Sequence, residues 1–275
     1  MLTRIIAAAL AAAGLAAPAA AQNACAAGKT LDEGVLTIAT GNPAHPPWVL
    51  NDDPASGEGF EAAIAYAVAE GMGFDHDQVR WVRASFDQSI QPGAKNFDFN
   101  VQQFSITPER DRIVDFSAPY YDAAMAVLTR APVVEAEGTE PTIASMRGLQ
   151  WGAVGTTTAL PVLTGLIDPE RQPRLYGDNA DLVAAMQAGQ VDAAMFDLPT
   201  ALFLSAVTLE DGVILGQFPA ERAENPDRFG LLMEEGNPLK ACVDAAIETL
   251  RAERRLAEIE QRWLSEAAGV PVIGE

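Results

Sequence analysis

Histidine, cysteine and basic side chains are scarce in this chain. It has 2 His and 2 Cys in 275 residues, too few and too scattered for the spaced clusters that hold a metal. A Gly-x-Ser-x-Gly elbow and a glycine-rich phosphate loop are also missing, which removes the commonest hydrolase and nucleotide-binding signatures. No cofactor and no metal are expected. Lys and Arg number 18 against 38 Asp and Glu, a formal charge of −20. That imbalance argues against nucleic acid and anionic membranes as partners and for a soluble, self-repelling monomer. It gives an anionic ligand no long-range attraction.

Long apolar runs are lacking too, with one exception at the start. Arg4 precedes an apolar run over residues 5–17, then come Pro18 and Ala19-Ala20-Ala21. The run is shorter than the roughly 20 apolar residues that cross a bilayer. The alanines give an A-x-A pattern, so residues 1–21 read as a secretory signal peptide and the chain as periplasmic. Gln22-Asn23-Ala24 before Cys25 lacks the apolar residue of a lipid-attachment motif. Export places Cys25 and Cys242 in an oxidising compartment, where a disulfide or two unpaired thiols are both open. The remaining chain is long enough to bury a large core and to form two lobes.

The most informative stretch is residues 96–121, NFDFNVQQFSITPERDRIVDFSAPYY. FDFNV alternates like a short strand, and Thr107-Pro108 reads as a helix start with Arg110 in its first turn. A guanidinium near Ser105, Thr107 and the amides of a strand-to-helix turn can grip a carboxylate through two parallel hydrogen bonds. A surface pair with Asp111 or Asp115 is the plainer alternative, and the residues alone leave the two level.

S-I-T-P-E-R (105–110) followed by V-D-F-S-x-P-Y-Y (114–121) resembles the signature of the periplasmic amino-acid-binding proteins of ABC importers, the family 3 solute-binding proteins. The resemblance runs from about residue 35 to 263. It implies an α/β, type II periplasmic-binding fold of two lobes, each a mixed sheet flanked by helices, joined by a two-crossing hinge. The expected division is 22–124 with 226–275 for lobe 1 and 125–225 for lobe 2, with acidic, proline-containing connectors over 132–141 and 218–228. A Cys25–Cys242 bridge would then tie the start of lobe 1 to its late helix.

The same resemblance implies a site. Arg110 and the Thr157 amide of the Gly155-Thr156-Thr157-Thr158 turn would bind an α-carboxylate. Asp197, ending G-x-V-D-A-x-x-x-D (189–197), would receive the α-ammonium with the Ser105 hydroxyl and a backbone carbonyl near Gln103. Without the resemblance, Asp197 reads as the N-cap of the next helix. Asn42 and His45, in the loop after the first strand, and Phe86 at the rim would face the ligand side chain. Trp48 reads as a core aromatic and His76 as a surface residue.

Four positions set this chain apart within the family pattern. Asn42 stands where relatives for basic ligands carry an acid, which favours a polar or neutral amino acid. Gln102 and Gln103 replace residues that are usually small, and Ala63 replaces a usual acid, expected outside the pocket. The partners implied are an amino acid and a membrane-embedded ABC permease. The rivals are a cleft enzyme resembling cyclohexadienyl dehydratase, which needs a general acid, and a ligand-sensing partner of a receptor.

Overall fold

The computed structural model describes residues 25–220, 226–264 and 269–274. The expected signal peptide lies outside the described residues.

In chain order the elements begin with β1 (Leu36–Thr40), α1 (Phe60–Gly71), β2 (Val79–Arg83), α2 (Phe86–Ser89) and β3 (Phe99–Asn100). A 3-10 turn (Arg110–Arg112), β4 (Asp115–Phe116), β5 (Tyr121–Ala123), β6 (Met125–Arg130), α3 (Ala131–Glu137) and α4 (Ile143–Met146) follow. Next come β7 (Trp151–Val154), α5 (Ala159–Leu166), β8 (Arg174–Tyr176), α6 (Asn179–Gln187), β9 (Ala193–Asp197) and α7 (Leu198–Phe203). The chain then forms β10 (Gly212–Phe218), β11 (Asp227–Phe229), β12 (Leu232–Met233), α8 (Lys240–Ala252) and α9 (Arg255–Leu264).

Two five-stranded mixed sheets make two lobes. The first has the order β2-β1-β3-β12-β4, the second β10-β6-β9-β7-β8. In the first, β1 runs parallel to β2 and β3 while β12 is antiparallel to β3 and β4. In the second, β7 is parallel to β8 and β9 while β6 is antiparallel to β9 and β10. Between them β5 and β11 pair as an antiparallel ribbon.

Each lobe is held by apolar faces that the sequence spaces at helical or strand period. In the first, Phe60, Ile64 and Val68 of α1 pack with Val243, Ala246 and Ile247 of α8 and Ile259 of α9. Gly71 lets α1 and α8 close: a Cβ there would lie 3.1 Å from that of Ala246. In the second, Trp151, Leu163, Ile167 and Met195 fill one side of the sheet, and Leu182, Met186 and Phe196 the other. Cys25 and Cys242 form a disulfide, Cα to Cα 5.8 Å, that ties the segment before β1 to α8.

The structure departs from expectation at four places. The turn after β3 is one 3-10 turn and not an α-helix start; the Thr107 hydroxyl accepts the Arg110 amide at 3.2 Å. Residues 131–137, expected within a connector, are helical, with Pro132 tolerated in the first turn and Gly138 closing the helix at φ 59°. The sequence reading places no strand over 212–218, yet β10 pairs there with β6. Residues 269–274, expected with the first lobe, pack on the second. Ile273 is buried in its core and donates its amide to the Gln217 carbonyl, while the Gln217 amide donates to the Pro271 carbonyl. Gly216 permits this, since a Cβ there would lie 2.7 Å from Ile273.

Candidate functional site

Loops at the carboxyl ends of the strands of both lobes face one cleft of about 460 Å³, where ligand loops of α/β sheets lie. The first lobe contributes the loop after β1 (Asn42, His45, Trp48), the residues after β2 (Ser85, Phe86) and those after β3 (Gln102, Gln103, Ser105), with Glu61 and Arg110. The second contributes Thr156, Thr157 and Thr158 after β7 and Asp197 at the end of β9; Asp227 and Phe229 of β11 line the hinge side. All nine residues singled out from the sequence line this cleft: Arg110, Ser105, Asp197, Thr157, Gln103, Asn42, His45, Thr156 and Phe86.

Arg110 is buried, and its surface pair with Asp111 or Asp115 is not formed. One terminal nitrogen donates to the Ser105 carbonyl at 2.9 Å and the other to the Thr156 carbonyl of the opposite lobe at 2.8 Å. The guanidinium lies 5.3 Å from the centre of the Phe86 ring, which stacks on Phe104, so a flat cation meets a π face. Burial lowers the pKa of Arg110, and the charge of Asp227 opposes that shift; an arginine remains charged throughout.

Further contacts cross between the lobes. The Ser105 and Thr158 hydroxyls are 3.1 Å apart, and Thr158 donates to Asp227 at 2.9 Å. Trp48, expected only as a core aromatic, is buried against Phe60 and Phe229 but also donates Nε1 to the Thr200 hydroxyl at 2.9 Å. Thr157 does not fit its expected part in this conformation: its amide and hydroxyl are both engaged by the Val154 carbonyl, at 3.2 and 3.0 Å. The turn thus presents the Thr156 carbonyl to Arg110.

Asp197 has two structural places. It caps α7, accepting the Thr200 amide at 2.8 Å, and it lines the cleft. Burial raises its pKa to about 6 against the hydrogen bonds from Thr200. Burial likewise raises Asp227, while Ser105, Thr158 and Arg110 oppose the shift.

Glu61 was not singled out from the sequence. It sits one residue into α1, fully buried, and accepts the Gln103 amide nitrogen at 2.7 Å, the Gln103 side-chain amide and the Tyr120 hydroxyl. Burial lifts its pKa to about 7 despite these donors, and the charge of Asp197 adds to the rise. Ala63, the position expected to lack an acid, packs two residues on against the lobe core. The Gln102 carbonyl oxygen, also at the cleft, is buried without a hydrogen-bond partner in the structure. Among the described residues no group of three or more His, Cys, Asp or Glu is placed to hold a metal ion.

The family model for bacterial extracellular solute-binding proteins, family 3, matches residues 36–266. The chain belongs to this family. The L-cystine-binding protein TcyJ of Escherichia coli (strain K12) is 25% identical over 240 residues, covering 86% of this chain and 84% of its own. The L-arginine-binding protein of Pseudomonas aeruginosa is 27% identical over 240 residues, covering 81% and 85%. Among solved structures, an ancestral arginine-binding protein bound to glutamine superposes with a TM-score of 0.68 at 21% identity, over 86% of this chain and all of the other. The ancestral amino acid-binding protein AncCDT-1, a precursor of cyclohexadienyl dehydratase, superposes at 0.63 and 21% identity, over 84% of this chain and 95% of its own.

Proposed function

We propose that this protein captures an α-amino acid between its lobes and delivers it to a membrane-embedded ABC permease. The observation that carries the reading is the pairing, in one cleft, of the buried cation Arg110 with the half-buried carboxylate of Asp197 on the opposite lobe. An α-amino acid carries one carboxylate and one ammonium close together. Burying each without an opposite charge is prohibitive, and the cleft offers both. Arg110 takes the carboxylate; Asp197, with the Ser105 hydroxyl and the main chain at Gln103, takes the ammonium. Asn42, His45 and Phe86 wall the side-chain end. Four or five charge-assisted bonds of roughly 1.5–3 kcal/mol each, offset by ordering costs, fit the roughly 8 kcal/mol of micromolar binding.

Arg110 and Asp197 lie on different lobes, so only a closed molecule holds both ends of the ligand. Binding then favours closure, and closure is what a permease reads. Among the described residues the lobes are 25–124 with 226–264, and 125–220 with the 269–274 tail. The protein acts as a monomer in the periplasm after cleavage of residues 1–21.

We read it as a binding protein and not an enzyme. Glu61 has a pKa suited to a general acid, but two donors from Gln103 and one from Tyr120 already engage its carboxyl oxygens, which ties the group up within the protein. Calorimetric titration of the purified protein with the twenty amino acids tests the reading. Binding of one or a few, with no turnover of the bound compound, supports it; no binding of any would refute it.

A further inference from the structure

Gln103 has an unusual place in the cleft. Its backbone is left-handed, φ 47°, a conformation most side chains avoid and glycine takes freely. From that position its main-chain amide donates to one oxygen of Glu61 at 2.7 Å, and its side-chain amide donates to the other. One residue therefore covers both carboxylate oxygens from the cleft side, while Tyr120 holds the first from the core side. Among the described residues no arginine, lysine or histidine pairs with Glu61, and the charged group that acts on it is Asp197. A buried carboxylate in that setting attracts any cation that can reach it.

We infer that Gln103 sets the charge class of the ligand: its amide stands in at Glu61 for the cationic head group of a basic amino acid, so the cleft takes amino acids with uncharged side chains. This rests on the amino-acid reading above. Glu61 and Gln103 both line the cleft, so a ligand that carried an ammonium or guanidinium to Glu61 would have to displace an amide already bound there. The side-chain amide is the removable half of the cover, because the main-chain donor stays whatever residue stands at 103. Taking it away leaves one Glu61 oxygen in a dry cleft without its donor, and a ligand cation supplies one of the stronger bonds available there. Gln102 is compatible with the same end of the range, since its unpaired carbonyl oxygen can accept from a neutral amide or hydroxyl.

The test is Gln103→Gly, a change that suits the backbone at φ 47° and removes only the side-chain amide. Affinities for arginine, lysine, glutamine, serine and the other amino acids are measured by calorimetry on the parent, on Gln103→Gly, and on Gln103→Gly combined with Glu61→Gln. Melting temperatures of all three establish that each is folded. The expected result is a ratio of basic to neutral affinity at least about tenfold higher in Gln103→Gly, the scale of one charge-assisted bond, with the gain lost when Glu61 is also neutralised. An unchanged ratio, or a gain that survives Glu61→Gln, overturns the inference. So does a parent that already binds arginine or lysine more tightly than any neutral amino acid. A parent that binds no amino acid refutes the functional reading itself, and the two failures are told apart by the parent titration alone.

Discussion

Replacing Glu61 by Gln should make the ligand-free protein more stable at pH 8 and leave it nearly unchanged at pH 4.5. Glu61 is fully buried, and burial lifts its pKa from 4.5 to about 7. A raised carboxylate pKa means that the folded state holds the proton more tightly than the unfolded chain. Stability from this group is therefore complete below pH 4.5, declines as pH rises, and is lost once pH passes about 7. At 1.36 kcal/mol per pKa unit the loss is about 3 kcal/mol. A Gln at 61 keeps the shape and stays neutral at every pH. Its carbonyl still accepts from Tyr120 and the Gln103 main chain, and the Gln103 side chain can turn its amide over to accept from the new amide. The assay is the melting temperature of ligand-free protein at pH 5, 6, 7 and 8 for parent and variant. For a chain of this size, with roughly 2–4 °C per kcal/mol, the difference between the two should grow by roughly 6–12 °C from pH 5 to pH 8, with the variant higher. Asp197 shifts in the same direction, to about 6, but it is present in both proteins and cancels in the comparison. Parallel pH profiles, or a variant that melts lower at pH 8, would show that Glu61 carries no ionisation cost, and the argument from its burial would fall.

Arg110→Ala should reduce amino-acid affinity by more than about a hundredfold, since it removes the cleft's buried cation; Asp197→Asn should do the same while retaining the acceptor for the Thr200 amide, so circular dichroism and melting should stay close to the parent. Affinity for an amino acid should fall toward tenfold per unit as pH drops below about 6, because Asp197 must release its proton to meet an ammonium; calorimetry between pH 4.5 and 8 reads this, and a flat profile would remove Asp197 from the ammonium site. Cys25→Ser should lower stability by about 2–5 kcal/mol, the usual cost of losing a native disulfide, with reducing agent mimicking the substitution in the parent and changing nothing in the variant. Gly59→Ala should destabilise strongly in thermal melts, because at φ 107° a Cβ would sit 2.5 Å from the Trp48 carbonyl.

Much of the architecture was legible because its signals are local. The apolar face of α1, the alternation in β2 and the Thr-rich turn before α5 each depend on residues within a dozen positions, and periodicity reads them directly. What escaped depends on distant partners. Strand β10 is a plain run of Val, Ile and Leu between two glycines, and it becomes a strand because β6, some 85 positions earlier, offers an edge with matching register. The tail at 269–274 carries Val, Ile and Pro with no period at all. Its place on the second lobe follows from Gly216, whose missing side chain leaves room for Ile273.

The site divides along the same line. Arg110, Ser105, Asp197 and the threonine turn stand in motifs, so the sequence brought them forward. Glu61 was hidden because an acid in the first turn of a helix has an ordinary explanation, the favourable interaction with the helix dipole. Only the packing of Tyr120 and Gln103 around it turns that surface-type residue into a buried charge. Its discovery also changes how the cleft balances. Arg110 shares the cleft with Glu61, Asp197 and Asp227, and all three carboxylates have raised pKa values because burial outweighs the bonds they accept. A zwitterion adds one ammonium and one carboxylate to that set. On the reading proposed above the carboxylate goes to Arg110, so the ammonium is free to relieve Asp197, and the acidic surplus of the cleft favours ligands that bring at least one positive charge. Within that surplus the amide of Gln103 decides whether a second positive charge is welcome, because it occupies the carboxylate that such a charge would seek.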